Sequence, residues 1–492
     1  MPAGATPLER GRLRVKNALL YPKLALWNLR SNRGAYLPFL GAASVIVCLF
    51  FTVKSVAAAP DLGRDIPGGW QIQALVTVGG VLLIFVCAPF LWYLNSFLMK
   101  RRRRELGLYA VLGLAGRQVG AILFFETLYS CLISVGLGLA AGILLSRGFA
   151  KLLLGLAGIA ADYRPGVQPA AVTATLGLFG AVFLGCLGGN LLHLSAASPT
   201  QLMREDRSGE KDPRFGVAGG VMGLLLLAAG YYTAVRAWFD PNLVLLIIPV
   251  FFLSALLVAL GTYGVFIFGS IWLLKGLKRS KRFYYRPENF ITVSGMLHRM
   301  RKNGAGLAGI CLFGTMTLVT LCCTLAVALG RDRVMGLLGT PNDTRRGLGI
   351  TLNLERMSPR ELTTLFGTLA FLGLFFGAAF LLCTVVVMYY KQLTEGGEDR
   401  SSFAVMRRVG MSGGMVRAAA RRQITLVFFL PLVMALLHLS FALPVMTRMF
   451  QVLCIEPATV LLAAGVGAAA FTALYLGAYW ATARAYYRMV AG

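Results

Sequence analysis

The sequence predicts an all-α integral membrane protein with about ten transmembrane helices. Three observations predict it. Apolar residues fill 57% of the 492 positions and charged residues only 14%, where an ordinary soluble domain carries roughly 25% charge. The apolar residues gather in runs of about 18 or more, long enough to cross a hydrocarbon core of roughly 30 Å as helix. The 48 lysines and arginines, set against 20 acids, lie mostly between those runs. Backbone groups in lipid must be satisfied within their own segment, so the runs are expected to be helices.

The spans read as Tyr36–Ala57, Trp70–Leu98, Gly120–Leu145, Pro169–Leu192, Val217–Val235, Leu243–Leu273, Ala305–Leu329, Leu362–Met388, Ile424–Met446 and Ala458–Ala481. With the N-terminus inside, ten spans place 35 of the 48 basic residues on the cytoplasmic side and return the C-terminus there. That asymmetry is the positive-inside pattern rather than a nucleic-acid footprint. The first apolar run is too long for a signal-peptide core, so no cleaved leader is expected, although Ala57-Ala58-Ala59 has the small residues of a cleavage site. Pro249 in the long sixth span predicts a kink or a tilt.

Local signals place helix ends. Ser358-Pro359-Arg360-Glu361 has the form of a capping box and should open span eight, and Ser198-Pro199-Thr200-Gln201 should open a short cytoplasmic helix. The alternation in Ile350–Leu354 is the one weak strand signal. Gly138-x-x-x-Gly142 in span three, and Gly465 with Gly467 in span ten, predict close helix packing.

The chain repeats itself. Leu29-Arg30-Ser31-Asn32 precedes span one and Met300-Arg301-Lys302-Asn303 precedes span seven. Two spans later come Glu105–Gly113 and Ser402–Gly410, each with a valine six residues beyond its glycine, at Val119 and Val416. The expected order is four spans, two spans, four spans. Its segments are an N-terminal stretch 1–35, a first four-helix unit 36–193, a linker 194–215, a two-helix connector 216–275, a cytoplasmic loop 276–304 and a second four-helix unit 305–492 with an outer loop 330–361. Leu106, Tyr109, Ala110, Gly113 and Leu114 make a helical stripe after span two, and Phe403, Met406 and Gly410 a shorter one after span eight, beside Arg407 and Arg408. Such segments read either as interfacial helices on anionic lipid or as surfaces that press on a cytoplasmic partner.

Catalytic and metal signals are absent from the sequence. It has no G-x-x-x-x-G-K-[ST] and no H-E-x-x-H, and His193, His298 and His438 lie in different segments. The cysteines show no C-x-x-C and read as buried thiols. Glu126, six residues into span three, is the one acid well inside a span and therefore a candidate functional residue, with Arg117 the nearest base in sequence.

These segments resemble the FtsX-like permeases of ATP-binding-cassette systems, and more narrowly the Bce-type permeases of bacitracin and lantibiotic resistance. The resemblance rests on Trp27-Asn28-Leu29-Arg30 with Asn32-Arg33, on Arg104-Glu105-Leu106-Gly107 with Leu112-Gly113, on Lys391–Glu395, on Arg407–Ser412 and on Phe428–Leu432. It implies that Glu105, Leu106, Tyr109, Leu112 and Gly113, with Phe403, Met406, Arg407, Arg408 and Gly410, belong to coupling helices that dock on a separate ATPase subunit, in two copies. ATP and Mg would then sit on that partner, with no cofactor or metal on this chain. It also implies a peptide antibiotic or lipid-linked cell-wall precursor as substrate, and a membrane histidine kinase as a further partner. Bce-type permeases carry a large extracellular domain between spans seven and eight, where this chain has only 330–361. The second reading is an ion-gradient transporter, which would favour more acids in the spans than Glu126. The third is a lipid-modifying membrane enzyme, which the missing acid–base constellation disfavours.

Overall fold

The computed structural model describes residues 20–59, 62, 68–159, 166–196, 216–239, 247–285, 287–338, 358–408 and 413–491. Among these, all regular structure is helical, and ten helices are long and apolar enough to cross a membrane. The remnant strand expected at Ile350–Leu354, the Ser198 cap and Gly410 lie outside the described residues. The chain divides into two compact units, residues 1–154 with 160–209, and residues 155–159 with 210–492.

In the first unit, α1 (residues 20–31) leads into α2 (Arg33–Ala57) through Asn32. There follow α3 (Gly69–Val111), α4 (Gly116–Leu156) and α5 (Pro169–Ala196). Of the ten spans, α2 is the most enclosed. Gly138 and Gly142 of α4 admit it: a Cβ on Gly138 would come within 2.5 Å of Val47 Cβ, and one on Gly142 within 2.6 Å of Phe51. Phe50 meets Phe179 edge-on at 5.7 Å, fixing α2 against α5. Asn95 of α3 and Asn190 of α5 exchange amide hydrogen bonds, Asn95 Nδ2 donating at 2.9 Å and Asn190 Nδ2 returning one at 3.2 Å. In a hydrocarbon setting such a pair removes two polar groups from lipid at once.

The second unit holds α6 (Gly216–Phe239), α7 (Ile247–Gly264), a π turn (Val265–Gly269), α8 (Ser270–Arg279), the single turn α9 (Lys281–Tyr284), α10 (Pro287–Leu338), α11 (Pro359–Arg408), α12 (Gly413–Val452) and α13 (Pro457–Ala491). Pro249 is not the irregularity in the sixth span. It sits in the first turn of α7, where its missing N–H has no helical acceptor to lose. The irregularity is the π turn sixteen residues on, whose Phe266 carbonyl accepts from Ser270 Oγ at 2.6 Å. Gly304 lets α10 pack directly on that turn, since a Cβ there would lie 2.7 Å from the Phe266 oxygen. The expected capping box at span eight is present: Ser358 N donates to Glu361 Oε2 at 2.7 Å, and Glu361 N donates to Ser358 Oγ at 3.3 Å. Gly467 packs on Cys322, whereas nothing lies within 4 Å of a Cβ at Gly465. All nine cysteines are free thiols, and burial pushes that of Cys454, outside the spans, up.

Several helices outrun their apolar runs. The second span was expected to end near Leu98, but α3 continues through the basic stretch to Val111, and α11 continues past Met388 to Arg408. In α3 the reason is local. Arg, Lys, Glu and Leu are all good helix formers, and no glycine or proline intervenes before Gly107 in α3. The segments after spans two and eight are thus ends of long helices, not separate helices lying along the membrane face.

Candidate functional site

The stop signal of α3 is Gly113, at φ +90°. Leu114 N donates to the Tyr109 carbonyl at 3.1 Å, the six-to-one bond of a Schellman cap. Only glycine reaches that left-handed conformation without a Cβ penalty. Three residues on, α4 begins, and Gln118 Oε1 accepts from Ala115 N at 2.9 Å. The candidate coupling segment is therefore a tip: a long helix, a tight turn and a second long helix.

The tip has two faces. Leu106 is buried with Val119, Leu123 and Leu187, and Tyr109 and Leu114 pack against the same cluster. Leu108, Val111 and Leu112 face outward, 50%, 61% and 70% exposed. Of the sequence candidates, Leu106 and Tyr109 thus build the tip, Gly113 ends it, and Leu112 is presented by it.

Behind the tip lies a buried polar clamp. Arg102 on α3 and Glu126 on α4 form an ion pair with side chains 1% and 3% exposed. Tyr36 of α2 completes the triangle, its hydroxyl accepting from Arg102 Nη1 at 2.7 Å and donating to Glu126 Oε2 at 3.3 Å. The Arg102 guanidinium also lies 5.7 Å from the centre of the Tyr36 ring. Asn28 of α1 spans two elements, donating from Nδ2 to Glu126 Oε1 at 2.7 Å and accepting from the Tyr109 hydroxyl at 3.0 Å. Asn32 donates to both oxygens of Glu105 at 2.9 and 3.1 Å, and Arg102 Nε donates to Glu105 Oε2 at 3.2 Å. Glu126 is thus held by Arg102, Asn28 and Tyr36. Arg117, its sequence neighbour, is not its partner.

The clamp unites motifs that are hundreds of ångströms apart in an extended chain. Asn28 and Asn32 come from the segment before span one, Glu105 and Tyr109 from the tip, Glu126 from span three. Sequence reasoning missed Arg102 because it is one of four consecutive arginines, Arg101–Arg104, with nothing to mark which turns inward.

The second repeat places buried polar residues at matching points. On the register that aligns Gly113 with Gly410 and Val119 with Val416, Glu126 falls on Gln423, which is buried. On the separate register that aligns Leu29–Asn32 with Met300–Asn303, Arg299 falls on Asn28, and it, Lys391 and Gln392 are buried too. Gly295 makes room for the Gln423 amide, since a Cβ there would overlap Nε2. Phe403, Met406, Arg407 and Arg408 lie on the last turns of α11. A third polar knot joins α6 and α7 to α12: His438 meets the Tyr231 hydroxyl at 2.6 Å through Nδ1 and the Thr262 hydroxyl at 3.1 Å through Nε2, while Tyr231 stacks on Phe441 at 3.9 Å. Among the described residues no cluster of His, Cys, Asp or Glu could hold a metal ion.

A family model for the C-terminal part of FtsX-like permeases matches residues 77–199, which include the whole tip, Arg102 and Glu126. The chain carries an FtsX-like permease domain. The permease is also homologous to Bce-type transporters. It is 26% identical over 279 residues to an uncharacterised ABC transporter permease, YvcS, of Bacillus subtilis, covering 56% of this chain and 42% of that one. It is 24% identical over 317 residues to the bacitracin export permease protein BceB of Bacillus subtilis, covering 62% and 47%. To the ABC transporter permease protein YxdM of the same species it is 25% identical over 289 residues, covering 58% and 44%. The matched stretch thus spans under half the length of each of these relatives. With ten apolar helices and these homologues, the chain is a multi-pass protein of the bacterial inner membrane.

Proposed function

We propose that this permease is the membrane subunit of an ATP-binding-cassette complex, and that its tip at Glu105–Gly113 and the segment Phe403–Gly410, which begins on the last turns of α11, receive force from a separate P-loop ATPase, present in two copies. ATP and Mg sit on that partner, and this chain performs no catalysis. The observation that carries the reading is the tip itself. It presents Leu108, Val111 and Leu112 to the outside on a helix that runs unbroken into span two. Its base is locked to α2 and α4 by the Arg102–Glu126–Tyr36 triangle. A push on the tip cannot be absorbed by bending at its root without parting a buried ion pair, so it moves the spans.

The substrates in this reading are peptide antibiotics such as bacitracin, or the lipid-linked cell-wall precursors they bind. The bacitracin export permeases of Bacillus subtilis and Halalkalibacterium halodurans, to which the chain is similar, support it. Energy from the partner drives their export or release, and a membrane histidine kinase reads the permease's state. Coupling of this kind needs two global states with different affinity for the partner.

The test is copurification of the full chain with a P-loop ATPase subunit of the same organism. The proposal expects a stable complex whose ATP hydrolysis rises with the antibiotic peptide, and loss of that rise on charge reversal at Arg407 and Arg408 with assembly intact. Proton- or sodium-driven transport by the purified chain alone would contradict it.

A further inference from the structure

The turn between spans six and seven has a charge pattern that the coupling reading does not use. No acid occurs between Asp240 and Glu288, while Lys275, Lys278, Arg279, Lys281, Arg282 and Arg286 fall within twelve residues. In the structure Lys278, Arg279, Lys281 and Arg282 are all exposed. The turn is ordered by its own contacts. Ser280 breaks the helix at ψ 93°, α9 makes one turn, and the Tyr284 hydroxyl lies 2.9 Å from Ser294 Oγ on α10. Lys278 Nζ sits 5.8 Å from the centre of the Tyr284 ring. Trp272, Tyr285 and Phe290 are exposed around the basic group.

Its depth follows from counting. The sixth span runs from Pro249 to Arg279, and its first charged residue is Lys275. The uncharged stretch before Lys275 is about 39 Å long at 1.5 Å per residue, longer than a hydrocarbon core of roughly 30 Å and close to the full bilayer of about 40–45 Å. The cations therefore begin where the hydrocarbon has ended, and the chain turns back within two helical turns of that point. Exposed tryptophan and tyrosine beside exposed lysine and arginine at this depth match the headgroup layer, where aromatic rings have one wet and one apolar side. A cluster of four to eight cations immediately beyond a span is attracted to anionic lipid by about 1 kcal/mol for each charge near the surface.

We infer that the α8–α9 turn is a binding surface for the phosphodiester headgroups of anionic phospholipid. Lys278, Arg279, Lys281 and Arg282 supply the charge, and Trp272 and Tyr285 set the depth. The surface takes phosphatidylglycerol or another anionic lipid and does not distinguish among them by shape, because its cations are exposed side chains. It anchors the turn between spans six and seven.

The experiment uses the full-length chain in a zwitterionic detergent and reads its thermal unfolding as phosphatidylglycerol, phosphatidylcholine or glycerol phosphate is added. One variant carries Lys278→Gln, Arg279→Gln, Lys281→Gln and Arg282→Gln. A second, with the same loss of charge, carries Arg204→Gln, Arg207→Gln, Lys211→Gln and Arg214→Gln. The inference expects phosphatidylglycerol to raise the unfolding temperature of the wild-type chain and of the second variant, with half-effect at the same lipid concentration. For the first variant that concentration should rise on the order of a thousandfold. Phosphatidylcholine should have no such effect. An equal effect of glycerol phosphate would assign the site to free phosphate and overturn the lipid reading. An unchanged response of the first variant, or no response of the wild-type chain, would overturn the inference outright.

Discussion

Arg102 and Glu126 meet across the root of the tip with less than a twentieth of either side chain exposed. Burying two charges is costly, and their mutual attraction offsets that cost only when further hydrogen bonds satisfy them. Here Tyr36, Asn28 and Glu105 supply such bonds to the pair, and Arg102 Nη2 is the guanidinium nitrogen left without one. Removing one partner leaves the other as an uncompensated buried charge. Arg102→Met or Glu126→Leu alone should cost about 3–5 kcal/mol. The double variant Arg102→Met with Glu126→Leu should recover most of that loss. Thermal unfolding of the four proteins in one detergent gives the cycle, and additive losses would show that the two side chains do not act as a pair.

Close packing of α4 on α2 makes a second prediction. Gly138→Val should destabilise the protein by at least about 1–3 kcal/mol, because its side chain would overlap Val47 and the Ser44 carbonyl. Gly136→Val, two residues away with open space around it, should change stability by no more than about 0.5 kcal/mol. Equal effects at the two positions would refute the packing described.

His438 offers a third. Replacing it with leucine leaves the hydroxyl of the half-buried Tyr231 without its partner, while Thr262 keeps its bond to the Val258 carbonyl at 2.6 Å. The expected cost is about 1–3 kcal/mol. Adding Tyr231→Phe should restore most of it, since the orphaned group is then gone. Persistence of the full loss in the double variant would mean that His438 acts through something other than this bond.

Gly113→Ala tests the turn. A Cβ in the left-handed conformation costs roughly 1–2 kcal/mol, and nothing else crowds that position. Unfolding should shift accordingly, with the helical circular dichroism of the folded protein unchanged. A stabilising effect would argue that the turn is not formed.

The sequence made the spans and the helix start at Ser358 legible because hydropathy and capping are local properties. It made Glu126 conspicuous because an acid in an apolar run has no local reason to be there. It did not reveal the partner. Arg117 is nearer along the chain, but helices run on past Leu98, and that extension brings Arg102 to Glu126 from another helix. Asn28 and Asn32 were visible only as part of a family-like motif; their chemistry, tying the tip to α1, depends on contacts 73 to 98 residues apart. In the sixth span Pro249 draws the eye because proline is the commonest cause of a kink, whereas the π turn at Val265–Gly269 has no fixed residue signature. His438 looked isolated for the same reason as Arg102: its partners lie 207 and 176 residues away.

The central claim is that the tip of α3 receives force from an ATPase and that the clamp passes it on. ATP hydrolysis by the reconstituted complex, with and without antibiotic peptide, tests it most directly in wild-type, Tyr109→Phe and Leu112→Asp forms. Tyr109→Phe removes only the hydroxyl that bonds Asn28 and leaves the outer face of the tip unchanged. It should assemble like wild type and hydrolyse ATP at the basal rate, with a reduced response to peptide. Leu112→Asp places a charge on the docking face and should not assemble. Normal assembly and full peptide-stimulated hydrolysis in Leu112→Asp would contradict the account.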